Sequence, residues 1–335
     1  GASGRDFLTA FVAGYETMCH IGRTSGDAQY ARGFHTTATL GTLGSAAACA
    51  HLLGLDADDT ATALGIASTM AAGLKSMFGT MCKPLHAGRA SADGLQAAQL
   101  AARGFTSCAD AIECPQGFMA THGGKVSLET AAPDGGWHLR HNLFKFHAAC
   151  YGTHAAIEAA RRLRLHHALR PDDVRRVTVR VGAASEGVCN IAEPRTGLES
   201  KFSLRHTVAM ALAGVDTAGL DSFSDDAVRA PDVVALRKRV TVELAPQCPG
   251  LTLGEVVIET HAGAMLRQRH DSGRPAKDLH EQQQRLEDKF RRLVEPVLDA
   301  SEGDELIDLV ARLDTLTDLS PLAGMLARRA PARLL

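Results

Sequence analysis

Aromatic side chains are scarce in this sequence: one Trp, three Tyr and eleven Phe make up 4% of its 335 residues. That leaves little material for a nucleic-acid surface made of stacking platforms. An excess of either charge is also lacking. Lys and Arg number 36, Asp and Glu 38, and the formal net charge is −2. No nucleic acid and no anionic membrane surface is therefore expected as a partner. No apolar run reaches the ~18 residues a spanning helix needs. The most apolar stretch, Thr36 to Leu55, is interrupted by Gly41, Gly44 and His51. A P-loop, a Gly-rich dinucleotide fingerprint and an HExxH motif are all absent. The eight cysteines include no CxxC pair and no zinc-like spacing, so buried free thiols in a reducing cytosol are expected. With no signal peptide or basic presequence in view, the expected location is cytoplasmic.

What the chain does have is small residues, including 32 Gly, which let helix backbones approach closely. Residues 1–131 read as helices. Ser3 with Asp6 forms a capping box that uses Asp in place of Glu. Phe7, Phe11, Gly14 and Met18 then recur at helical spacing. A second helix is expected from about Thr37 to Leu53, stopped by Gly54; Asp56 caps a third, and Pro84 fits the first position of a fourth. A turn signal at Pro133-Asp134-Gly135-Gly136 marks a change of texture. Beyond it, Val177, Val179 and Val181 alternate with polar residues, as do Val240, Val242 and Leu244, and a third run spans Glu255 to His261. The last two read as an antiparallel pair. Helical spacing returns with Leu286, Phe290, Leu293, Leu306, Leu309 and Leu313. The fold expected is mainly α with an α+β part. A discontinuous all-helical domain would take 1–143 and 277–335, and a smaller α+β lid 144–276.

His and Lys fall at helix entrances in three places: Gly33-Phe34-His35, Lys83-Pro84-Leu85-His86, and the stretch Phe144 to His154, FKFHAACYGTH. A helix N-terminus offers unpaired N–H groups and partial positive charge, which attract carboxylates. Taken singly, each is explained as well by a cap or a solvated loop residue.

Together, these stretches resemble the MmgE/PrpD family. The phrases that carry the likeness are Ala10 to Glu16 (AFVAGYE), Gly33 to Gly41 (GFHTTATLG), Met81 to Ala90 (MCKPLHAGRA), Cys150 to Ala159 (CYGTHAAIEA) and Lys201 to Leu204 (KFSL). They run in the expected order over essentially the whole chain. The resemblance implies a helical domain with an α+β lid, an active site between the two, a homodimer, and no metal or organic cofactor. It implies a lyase acting on a small anionic di- or tricarboxylic acid, most nearly a 2-methylcitrate dehydratase-like hydro-lyase. An epimerase, a decarboxylase and a degenerate family member are the alternatives. By resemblance, His35, Lys83 and His154 are the catalytic residues. His86, Lys201 and His206 would bind substrate, His206 standing where relatives often carry Tyr. The family also implies further helices, with an Asp/Thr/His group of the site, ahead of the point where this sequence starts.

Overall fold

The computed structural model describes residues 1–124 and 135–327. Its contacts divide it into two units: Gly1–Asn142 together with the chain from Glu305 onward, and Leu143–Asp304. Pro133 and Asp134 of the expected turn lie outside the described residues.

The first unit opens with α1 (Gly4–Ala31), α2 (Thr36–Leu53), α3 (Ala57–Met70), α4 (Cys82–Ala101) and the short α5 (Phe118–His122). Local chemistry sets several of their ends. The Ser3 hydroxyl accepts the Asp6 N–H while the Asp6 carboxylate accepts the Ser3 N–H, so the capping box forms in full. Gly54 ends α2 in the left-handed region at φ 68°. The Asp56 carboxylate accepts the Asp59 N–H at the start of α3. Helix α4 begins at Cys82, so Pro84 is its third residue, two later than expected. The shift costs nothing, because first-turn N–H groups have no intrahelical acceptor to lose.

Small residues set the spacing of these helices. A Cβ on Gly14 of α1 would stand 2.4 Å from the Gly44 carbonyl oxygen of α2, and a Cβ on Gly44 would stand 2.8 Å from that of Gly14. The two backbones therefore touch directly. Leu43, Ala46, Ala50, Ala63, Ala67, Ala97 and Ala98 fill the core behind them.

The second unit runs through α6 (Tyr151–His166), β1 (Val174–Val181), α7 (Glu186–Cys189), α8 (Gly197–Ser200), α9 (Leu204–Ala213), α10 (Pro231–Arg237), β2 (Val240–Leu244), β3 (Leu253–Thr260), β4 (Met265–Asp271) and α11 (Leu279–Val294). Its sheet has the order β2-β1-β3-β4. This corrects the expected β2/β3 pair: β2 lies parallel to β1, and β3 is antiparallel to both β1 and β4. The reason lies in burial. Val256, Val257 and Ile258 make β3 the more apolar strand, and it takes the central place beside β1, leaving β2 as an edge. On the more exposed side, Arg180 of β1 reaches Glu243 of β2 at 3.0 Å and Glu255 of β3 at 2.9 Å. Helix α6 covers β3 closely, since a Cβ on Gly254 would lie 3.2 Å from the Ala155 Cβ.

The chain then passes through α12 (Ala300–Ala311) and α13 (Ser320–Leu326). The return to the first unit falls at Glu305, so α11 belongs with the sheet unit rather than with a return segment starting at 277. The Gly4 N–H donates to the Leu316 carbonyl at 2.8 Å, which ties the returning chain to the start of α1. None of the eight cysteines is in a disulfide; Cys150, Cys189 and Cys248 are buried, whereas Cys82 and Cys108 are exposed. Among the described residues no helix is long and apolar enough to cross a membrane.

Candidate functional site

The six residues singled out in the sequence divide equally between the units. In the first unit, His35 is the N-cap residue of α2, held by its backbone N–H on the Gly73 carbonyl at 3.0 Å. Its imidazole is buried, and its Nδ1 lies 2.9 Å from the Nδ1 of His86. One proton between two ring nitrogens makes one ring the donor and the other the acceptor. Gly73, at φ 149°, allows this approach: a Cβ there would stand 2.6 Å from the Ala38 Cβ and 3.5 Å from the His86 ring. Phe78 joins Lys83 to the pair. Its ring is edge-on to His35 at 5.0 Å, and the Lys83 Nζ stands 5.0 Å over it. His35, His86 and Lys83 thus form one cluster around Phe78, with Lys83 in the first turn of α4.

In the second unit, His154 lies one turn into α6 and is 3% exposed. Its ring meets the rings of His147 at 4.9 Å and Tyr151 at 4.8 Å. The Ala149 carbonyl takes one ring nitrogen, while the buried Nε2 has no hydrogen-bond partner. Burial first, then the charges of His147 and Lys145, lower the His154 pKa from the usual 6.5 to about 3. His154 is therefore neutral at pH 7, with its Nδ1–H on Ala149 and an open lone pair on Nε2. An unpaired buried acceptor is costly, and such groups cluster where chemistry is done.

Lys201 follows α8, and its carbonyl accepts the Cys150 N–H at 2.9 Å, just ahead of α6. Burial and then Lys145 lower its pKa. Lys145 itself, exposed, reaches back towards the Ala149 carbonyl at 3.4 Å. The second unit therefore gathers Lys145, Lys201 and His154 around the start of α6. His206 is placed differently. It is fully buried in α9, with its Nδ1 3.5 Å from the Arg237 guanidinium and its Nε2 without a partner. Burial first and then Arg237 lower its pKa to about 4. Among the described residues, no recorded hydrogen bond or ring contact joins it to His154 or Lys201.

Three residues of this region escaped the sequence reading: Lys145, His147 and Glu158. The His147 Nε2 lies 3.2 Å from Glu158, and its Nδ1 lies 2.7 Å from the Thr217 hydroxyl. Burial alone would raise the Glu158 pKa, but the His147 hydrogen bond and the Arg285 charge outweigh it and hold the carboxyl well below its usual range. The signal was available, since Lys145 and His147 stand in the same FKFHAACYGTH stretch as His154. Two further clusters bring together metal-type ligand atoms: Glu16, His20 and His138, and Cys108, Asp110 and Cys114. In the first, the Glu16 oxygens already accept the backbone N–H groups of His138 and Leu139, at 3.0 and 2.9 Å, which accounts for a buried carboxylate there.

Comparison with known proteins bears on what these groups are. The family model for the MmgE/PrpD N-terminal domain matches residues 1–131, and that for the MmgE/PrpD C-terminal domain matches 147–315. The chain belongs to the MmgE/PrpD family. Among curated relatives of this MmgE/PrpD chain, the cis-aconitate decarboxylase of Aspergillus terreus is 30% identical, over 97% of this chain and 71% of that protein. The cis-aconitate decarboxylase of Homo sapiens is 31% identical, over 98% and 70%. That of Mus musculus is 30% identical, over 97% and 68%. The mainly α architecture with an α+β part is the one expected of such a family member.

Proposed function

We propose that this chain is a lyase acting on a small di- or tricarboxylic acid, and that its reaction is a decarboxylation of the cis-aconitate decarboxylase type. The observation that carries this reading is His154: buried, neutral, with a free Nε2 and lysines around it. Three curated relatives are named for the same reaction, which favours CO2 loss over the hydro-lyase expected from the motifs alone.

The chemistry follows from charge. When a carboxylate leaves as CO2, its bonding electron pair stays on carbon and spreads into an adjoining double bond and carboxylate. A proton must then be delivered to carbon. Cations beside the remaining carboxylates stabilise the developing charge; Lys145 and Lys201 are suited to this. Burial first, and then the charges of His147 and Lys145, suppress protonation of His154. A bound polyanion reverses the sign of that field and raises the proton affinity of Nε2. His154 then becomes able to hold the proton that carbon needs. The His35–His86 pair, which already shares one proton, is the second acid/base group of the proposal. The reading includes a homodimer.

The lone pair on His154 Nε2 also suits abstraction of a C–H proton, so elimination of water is the second reading. Both are tested by following the full chain with cis-aconitate and with 2-methylcitrate by proton NMR in heavy water. Loss of CO2 from cis-aconitate, with one deuterium taken up at carbon, is the expected result. Water loss from 2-methylcitrate would select the hydro-lyase. If neither acid changes, and no deuterium enters either one, the lyase reading fails.

A further inference from the structure

Behind His147, within the second unit, lies a cleft of about 270 Å³ bounded by α6, the end of α9 with its following loop, and α11. His147 forms part of its wall, whereas His154 and Lys201 do not line it. It is therefore lined apart from His154 and Lys201, and Lys289 on its wall reaches the Lys145 carbonyl. Its lining is strongly cationic. Arg161, Arg164, Arg285, Lys289 and Arg292 face only two carboxylates, Asp216 and Asp288.

The partners of these five cations show which charges are already satisfied. Arg285 is committed to Glu158 and lies 3.8 Å over the Phe146 ring. Arg161 also reaches Glu158, at 3.3 Å, and Arg292 is paired with Asp216 at 2.6 Å. The other two have no carboxylate among their recorded partners. Arg164 spends its Nε–H on the Ala211 carbonyl at 3.0 Å, and Lys289 donates to the Lys145 carbonyl. A guanidinium has five N–H donors and an ammonium three, so both keep donors to spare. Gly214, at φ 77°, makes room for the Arg164 head, whose Nη1 would lie 3.4 Å from a Cβ placed there. Even with Glu158 counted, cations outnumber carboxylates by two. The volume falls just below the ~300–1,000 Å³ of ordinary small-molecule pockets, which suits a compact solute.

We propose that this cleft is a second anion site, which takes a small dianion of the phosphate-monoester or dicarboxylate class, with Arg164 and Lys289 supplying the free charges. The test is titration calorimetry of the full chain with inorganic phosphate and with succinate, at fixed ionic strength. Saturable binding of at least one is expected, and the tighter of the two names the source of the anion. Arg164→Gln and Lys289→Gln should each weaken it by about tenfold, the loss of one charge-assisted contact. Lys289→Arg should retain it, which guards against a folding defect. Arg175→Gln on β1, outside the cleft, should leave it unchanged. No saturable binding overturns the proposal. So does an equal loss in Arg175→Gln, which would mean a diffuse field.

Discussion

The two units solve the same problem, a histidine at the entrance of a helix, in opposite ways. In the first, His35 is matched to a second imidazole at 2.9 Å, and the Gly-Ala surfaces around it bring whole backbones together. In the second, His154 is left with an open nitrogen beside cationic side chains, on a helix that covers a sheet. A paired imidazole holds its proton in a shared bond. An unpaired, desolvated one waits for charge to arrive. The contrast teaches that helix-entrance position alone does not define a role; what stands against the ring does.

The sharpest way to break this comparison is to remove each ring in turn. His154→Gln is expected to lower kcat by about a thousandfold, within the ~10²–10⁴ of general acid–base catalysis, with near-UV circular dichroism unchanged. His86→Ala, which removes one ring of the proton-sharing pair, should cost about a hundredfold, the low end of that range. If the two losses were equal, the distinction between a paired and a waiting imidazole would collapse. Next in size is the packing of the first unit. Gly14→Ala puts a methyl group 2.4 Å from the Gly44 carbonyl and should cost about 1–3 kcal/mol in urea unfolding. An unchanged midpoint would show that α1 and α2 do not meet backbone to backbone.

Acid response sharpens the contrast from the other side. His154 and His206 have pKa values lowered to about 3 and about 4, against 6.5 in an unfolded chain. Between those limits the unfolded chain binds protons that the folded one refuses. Their contribution to stability is therefore complete above about pH 6.5 and is lost as the pH falls towards about 4 for His206 and about 3 for His154. His206→Phe should flatten the fall in urea midpoint between pH 7 and pH 5, and a slope equal to that of the unmodified chain would contradict the buried, neutral state. The smallest effect concerns a helix end: Asp56→Ala removes the cap of α3 and should cost about 1 kcal/mol by thermal unfolding.

Much of the first unit is legible in the sequence because its signals are local. Ser3 with Asp6, Gly54 and Asp56 each act within four residues, and each ends or begins a helix as the spacing predicts. The sheet is less legible because strand order is not local. Strand β4, Met265 to Asp271, carries Arg267, Arg269 and His270 and has little apolar pattern to betray it. The misplaced β2/β3 pairing had a clue in Arg180, which stands level with Glu243 on one side and Glu255 on the other. The site divides likewise. His35, His86 and Lys83 lie around Phe78 in one cluster, and the Lys201 carbonyl meets Cys150 just ahead of the helix that carries His154. His206 goes to the core of α9 against Arg237, because its neighbours Leu204, Val208 and Met210 are buried with it. Glu158 was hidden because its partners His147 and Arg285 lie on other segments of the unit.

The hydrogen bond from Gly4 to Leu316 has a consequence for how the chain is made. Ribosomes add roughly 5–20 residues each second, so α1 leaves the exit tunnel some tens of seconds before the segment that closes over its first turn. During that interval the whole sheet unit is synthesised. Until that interval ends, the first turn of α1, around Gly4, lacks the segment that packs against it. A chain slowed or cut short near residue 305 would release the sheet unit whole and the helical one still open, a natural substrate for chaperones.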